Sequence, residues 1–301
     1  MPRIAVLGGT GYLASLIKNQ NNIKKNNYIF FSRKKGTKNY INFLSLKKNY
    51  DILKDFDFII HLAGPNQDQL KRNKRLIEKK NEITSMICDV CLAPNIKLIY
   101  ISSMQVYKDY GKKNLSINSK INLKNFYSKS HYDSETIILK KFLNYKKMFT
   151  ILRMGNIFGF TKCSNSKDIV SNLIHSLCNI ALRKKKILVD DGSVQRTFIP
   201  SQIFVKVINS FIKKNIFENL IINIFYKNLN LKDIAYIIQK RSKLAFNLNI
   251  DIVIKKFSYN KNFSIYSNQN FRFNPINQKF IMKLIKFEIY KKNNLLKMNI
   301  W

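Results

Sequence analysis

The clearest chemistry in the sequence lies in a glycine turn near its start. Gly8-Gly9-Thr10-Gly11-Tyr12-Leu13-Ala14 follows directly on the apolar run Arg3 to Leu7. A strand that feeds a helix through such a turn holds a pyrophosphate. Gly8 makes the tight turn, Gly11 lets the backbone come close, and small Ala14 lets the helix pack against the strand. N–H groups at the helix start, with the positive end of its dipole, meet the phosphates. Lying between a strand and a helix at the head of a βαβ chain, the pattern predicts dinucleotide binding, with Gly8, Thr10, Gly11, Tyr12, Leu13 and Ala14 as contacts. The end of the next strand selects the cofactor, because a carboxylate there holds ribose hydroxyls and an arginine accepts a 2′-phosphate. Phe30-Phe31-Ser32-Arg33-Lys34-Lys35 contains no carboxylate. Ser32 and Arg33 therefore favour NADP, with NAD as the other choice.

Two further features invite chemistry and are read as structural. Cys88 and Cys91 form a C-x-x-C, but inside the apolar helical pattern ITSMICDVCLA, and Cys163 and Cys178 do not complete a zinc set. They read as small core residues, and no metal is expected. Lys plus Arg total 54 against 17 Asp plus Glu, a formal charge of +37. Lysines outnumber arginines about five to one and are scattered in pairs such as Lys24-Lys25 and Lys140-Lys141. Phosphate recognition favours the planar arginine fork. The charge thus reads as drift towards A- and T-rich codons, and nucleic acid is not the expected partner. A 46% hydrophobic content excludes a disordered basic tail. No apolar run reaches the length of a membrane span, and the N-terminus lacks the regions of a signal peptide, so a cytoplasmic chain is expected.

The positioning elements follow from the hydrophobic pattern. Arg3–Leu7, Tyr28–Phe31, Phe56–Leu62, Lys97–Ile101 and Phe149–Arg153 read as strands, with helical runs at Tyr12–Asn19 and Tyr127–Asn144. Strands alternating with helices predict an α/β fold, a doubly wound parallel Rossmann sheet. The pattern loosens after about residue 156. The expected division is a dinucleotide-binding domain over 1–155 and a smaller C-terminal, mainly substrate-binding region over 156–301, with some elements returning to the sheet.

With these elements placed, the sequence resembles the extended short-chain dehydrogenase/reductase family, the NAD(P)-dependent sugar epimerases and dehydratases. The likeness spans most of residues 4 to 205. It rests on the glycine turn, Asp57-Phe58-Ile59-Ile60-His61-Leu62-Ala63-Gly64, Asn81 in KNEIT, Ile101-Ser102-Ser103-Met104-Gln105-Val106-Tyr107, Leu152-Arg153-Met154-Gly155-Asn156-Ile157-Phe158-Gly159, and Gln195-Arg196-Thr197-Phe198-Ile199-Pro200. The resemblance implies that Leu62, Ala63, Gly64 and Asn81 border the cofactor. It also implies that Ser103 holds the reacting sugar oxygen, that Tyr127 is the acid/base, and that Asn156 and Arg196 contact a nucleotide-sugar substrate.

The family places a lysine four residues after the tyrosine, on the same helix face, to hold the nicotinamide ribose and depress the tyrosine pKa. His131 stands there, and as a partly cationic group near neutral pH it is expected to serve both roles. Lys129, two residues after Tyr127, points to another side of the helix. The spacing Tyr236 to Lys240 falls in a distant helical run. Met104 and Gln105 replace the acid pair of the family's dehydratases. The expected activity is therefore epimerisation or reduction of a nucleotide-activated sugar by hydride transfer at a carbinol carbon. The alternative is a family member that has become a dinucleotide- or RNA-binding protein. The resemblance also implies a homodimer through helices Glu82–Ala93 and Glu135–Leu143.

Overall fold

A computed structural model describes residues 2–19, 27–32, 50–92, 96–111, 115–146, 148–159, 173–215 and 217–256. Arg33 and Cys163 lie outside the described residues. The elements run β1 (Arg3–Leu7), α1 (Tyr12–Lys18), β2 (Asn27–Phe31), α2 (Tyr50–Leu53), β3 (Phe58–His61), α3 (Gln67–Arg72), α4 (Leu76–Leu92) and β4 (Lys97–Ser103). A short 3₁₀ turn (Met104–Val106) leads to α5 (Phe126–Lys141), β5 (Phe149–Met154), β6 (Asn156–Phe158) and α6 (Leu173–Lys184). Then come β7 (Lys186–Asp191), β8 (Gln195–Pro200), α7 (Ser201–Lys214), β9 (Leu220–Ile224), β10 (Lys227–Asn230), α8 (Leu231–Phe246) and β11 (Asp251–Lys256).

Six strands form the main sheet in the order β2-β1-β3-β4-β5-β9, every pair parallel. A parallel sheet must be covered on both faces, and strand alternation provides for it. Ile4, Val6, Ile60 and Ile99 point to one side, into a core with Leu16 and Ile17 of α1 and Ile203, Val207 and Phe211 of α7. Ala5, Leu7, Ile59 and Leu98 point to the other, against Ile87, Cys88 and Cys91 of α4 and Ile138 of α5. Both thiols of the C-x-x-C are wholly buried there, and burial pushes their pKa values up. The expected fold class is the observed one. Strand order reverses between β1 and β3, and in such sheets ligands bind beyond the carboxyl ends of the strands at that point.

A second layer of structure follows β5. β8 pairs antiparallel with β10 and parallel with β6, while β7 and β11 form a parallel pair. Phe158, Ile174, Cys178, Ile187, Phe198, Ile234 and Ile238 gather α6, α8 and these strands around their own core. These elements did not stand out in the sequence.

One buried polar network ties α5 to the sheet. Arg153 on β5 donates Nε to both Glu135 oxygens (3.0 and 3.2 Å), Nη2 to Glu135 Oε2 (2.6 Å), and Nη1 to the Tyr107 hydroxyl (2.8 Å). Ser102 donates to Glu135 Oε1, and Tyr107 donates to Asn223 on β9. Burial disfavours the Arg153 charge, but the Glu135 carboxylate outweighs it and holds the guanidinium protonated. No helix among the described residues is long and apolar enough to cross a membrane.

Candidate active site

A cavity of about 660 Å³ opens over the carboxyl ends of β1, β3, β4 and β5. Its floor is the glycine turn. Gly8 adopts φ +97°, and a Cβ there would lie 2.9 Å from the backbone of Leu62 and Ala63. A Cβ on Gly9 would lie 2.9 Å from Phe30. The turn thus sits flush on two neighbouring strands and leaves its backbone to the cavity. Gly11 is the N-cap of α1 and supplies no side-chain cap, so the first turn of that helix keeps its N–H groups for a ligand. Ser32, at the end of β2, donates to the Thr10 hydroxyl at 3.3 Å.

The opposite wall is built by β4 and α5. Ser103 ends β4 and caps the 3₁₀ turn, its hydroxyl accepting from the Gln105 N–H at 3.2 Å. Asn125 caps α5 by accepting from the Tyr127 N–H at 2.9 Å, which sets Tyr127 in the first turn. Enclosure by protein pushes the Tyr127 pKa up, and a hydrogen bond with Ser103 draws it back part of the way. The pair can hold a substrate hydroxyl and move its proton.

His131 packs edge-on against Tyr127, ring centroids 4.6 Å apart, and its Nδ1 shares a hydrogen bond of 3.0 Å with the Tyr100 hydroxyl. Its charge state differs from the sequence expectation. Burial, then the neighbouring Lys80 and His61, hold its pKa well below the ordinary value. His131 is neutral near pH 7 and cannot serve as the site's cation. His61, 0% exposed, sits between the Tyr100 ring (5.1 Å) and the Thr84 hydroxyl (3.1 Å). Burial and Lys80 push it down to about 3.

The other expected residues divide clearly. Gly8, Thr10, Gly11, Tyr12, Leu13, Ala14, Ser32, Leu62, Ala63, Gly64, Ser103, Tyr127, His131 and Asn156 line the one cavity. Asn156 donates to the Thr197 carbonyl (3.1 Å) and the Tyr110 hydroxyl (3.3 Å). Asn81 is not on the wall, and the preceding residue, Lys80, is. Arg196 is not on the wall either. Its guanidinium stacks on Tyr110 at 5.0 Å and donates Nη1 to the carbonyls of Tyr110 and Gln195. Sequence reasoning missed Lys80, His61, Tyr100 and Tyr110. Lys80 had a readable signal, because it falls on the helical stripe Ile77, Thr84, Ile87, Cys91 that buries α4.

A model of the NAD dependent epimerase/dehydratase family matches residues 4–224. No curated protein matches the sequence. Among solved structures, UDP-N-acetylglucosamine 4-epimerase from Bacillus cereus superposes with TM-score 0.72 at 19% identity, covering 96% of each chain. dTDP-glucose 4,6-dehydratase from Bacillus anthracis in complex with NAD gives 0.75 at 18%, covering 97% of each chain. The UDP-Glc/GlcNAc 4-epimerase from Campylobacter jejuni gives 0.76 at 16%, over 97% of this chain and 100% of that one. These likenesses carry the fold, and the family match carries the membership. With its glycine turn under β1 and its Ser103–Tyr127 pair across the cavity, the chain belongs to the NAD dependent epimerase/dehydratase family.

Proposed function

We propose that this protein is a nicotinamide-dinucleotide-dependent epimerase or oxidoreductase of a nucleotide-activated sugar, with epimerisation as the leading activity. One observation carries the reading: Ser103 and Tyr127 both line the cavity whose floor is the glycine turn, with the serine near enough to draw the Tyr127 pKa down. The residues present fit the dinucleotide, since the turn exposes backbone where side chains at 8 and 9 would strike β2 and the end of β3. When bound, that group supplies the hydride acceptor and donor. Tyr127 in its ionised form takes the proton of the sugar hydroxyl as the carbon is oxidised, and as the phenol returns a proton on reduction. Ser103 holds the same oxygen, and Asn156 borders the sugar. Met104 is 0% exposed in an apolar cluster, and Gln105 on the wall has no proton to exchange near neutral pH. Nothing at these two positions can assist loss of water, which favours epimerisation or reduction over dehydration.

Three finer points belong to this reading. Ser32 beside Thr10, followed by Arg33, supports NADP over NAD. Titrating both cofactors into the parent and Arg33→Ala tests this, and equal affinities in the parent would remove the preference. Residues 1–155 hold the dinucleotide and 156–301 mainly the sugar, with α7 and β9 back at the large sheet. Exposed Leu139 on α5 and Leu143 beyond it suit a homodimer, which light scattering would detect. For Arg196 to reach a substrate diphosphate, it must leave the two carbonyls it now holds. The activity test is conversion of UDP- and dTDP-sugars with added dinucleotide, followed by NMR. Turnover that vanishes in Tyr127→Phe supports the reading. Absence of turnover with dinucleotide bound refutes it.

A further inference from the structure

Lys80 is a buried amine with no ion-pair partner among the described residues. It is 3% exposed, the only lysine or arginine other than Arg153 buried among the described residues, and no carboxylate lies within 4.0 Å of it. Its Nζ donates to the Ser130 carbonyl at 3.1 Å and reaches the Ser130 hydroxyl at 3.5 Å, leaving a third N–H with no hydrogen-bond partner among the described residues. The nitrogen lies 5.7 Å from the Tyr100 ring centroid, and both residues line the cavity. Ser130 sits between Tyr127 and His131 on α5, so the ammonium of α4 is delivered to the turn that carries the acid/base. Space is reserved for it. A Cβ on Gly64 would come 3.1 Å from Lys80 Cε and 3.2 Å from Cδ. Buried lysines are rare unless paired, and an ammonium with a spare donor on a residue that lines a cavity suits an anionic or hydroxyl-rich ligand.

We propose that Lys80, reaching from α4 across Gly64, is the cation of the site and holds the ribose hydroxyls of the nicotinamide half of the dinucleotide beside Tyr127. The inference rests on the proposed function. It moves to α4 the positive charge that the family resemblance gives to position 131, where His131 is held neutral.

The groups around Lys80 leave a clean pH window. Burial lowers its pKa to about 7, opposed by Glu135 and then Asp133. Those two carboxylates are engaged elsewhere, Glu135 by Arg153 and Asp133 by Lys129 at 2.7 Å. His61 from β3 and His131 from α5 stay neutral above pH 6, and Tyr100 and Tyr127 are pushed up. From pH 6 to 8.5, Lys80 is therefore the group in this cluster that changes charge.

The test is NADH binding, read by ligand fluorescence across that range, for the parent, Lys80→Met, and Lys80→Met with His131→Lys. NADH affinity of the parent should fall as pH rises through Lys80's titration. Lys80→Met should bind roughly 10–100-fold more weakly at pH 6, as expected for a lost charge-assisted bond, with a flat pH profile. The double variant, which transfers the ammonium to α5, should regain affinity. Lys80→Met that binds NADH as tightly as the parent, with the same pH profile, overturns the inference while leaving the proposed function standing. A folded parent that binds no NADH at any pH overturns both.

Discussion

Replacing Glu135 with alanine should strand the buried Arg153. The guanidinium side chain is 4% exposed and gives three of its N–H contacts to this one carboxylate, which also accepts from Ser102. Only the Tyr107 contact at 2.8 Å and a marginal one of 3.5 Å to the Ile117 carbonyl would remain. Removing one partner of a buried pair leaves an uncompensated charge and typically costs about 3–5 kcal/mol. At roughly 2–4 °C per kcal/mol for a chain of this size class, the melting temperature should fall by about 6–20 °C. Urea denaturation followed by far-UV circular dichroism gives the free energy directly. The paired variant Glu135→Leu with Arg153→Met supplies the control, because removing both charges costs far less than removing one. Its stability should lie within about 1–2 kcal/mol of the parent. A single variant that loses less than about 1 kcal/mol would refute the reasoning. So would a double variant as unstable as the single one.

Ser103→Ala should lower sugar turnover at least tenfold, the low end of roughly 10²–10⁴ for such groups being softened by Tyr127, with NADH affinity changed less than about twofold. Loss of NADH binding with the fold intact would show that Ser103 faces the dinucleotide instead. Gly8→Ala should abolish dinucleotide binding and cost stability, because φ +97° is strained for alanine and its Cβ meets backbone at 2.9 Å; unchanged binding in a filter or fluorescence assay counts against the turn. Lys80→Met should raise stability at pH 7. The parent's lysine has a folded pKa of about 7 against 10.5 unfolded, so its contribution is full above 10.5 and lost as pH falls to 7. The stability gap between variant and parent should therefore shrink by about 2 kcal/mol from pH 7 to 9 in urea titrations, and a constant gap would reject the buried charge.

Local sequence carried the frame of the site because its parts are local. The glycine turn, Ser103 at a strand end and Tyr127 in a helix's first turn are fixed by residues near them in the chain. The features that local sequence did not carry lie where two distant elements meet. Asn81 stands one residue past Lys80, and on a helix that step turns a side chain by about 100°, which takes it off the cavity wall that Lys80 lines. Arg196 reads as a free arginine until Tyr110 and the bend at Gly111, 85 residues earlier, are seen to occupy it. The neutrality of His131 depends on α4, and no spacing within α5 reports it. Strands β6, β8 and β10 are short or lack alternation, so their pairing is decided by the core around Phe198 rather than by pattern.

The lysine stem laid across Gly64 also constrains how such a site can change over generations. An ammonium can be offered from α4 or from α5, but the two positions converge on one turn of helix. A chain carrying both, as in His131→Lys alone, would crowd two like charges into one buried cavity, and each would drive the other to lose its proton. A chain carrying neither has no cation there. The two arrangements are thus separated by a valley, and a lineage crosses it only through a weakened intermediate. Position 64 bears on the choice as well, since a Cβ there would press on the Lys80 stem at 3.1 Å and make it shift. Reading residues 64, 80 and 131 together should therefore tell in which relatives the cation has changed helix.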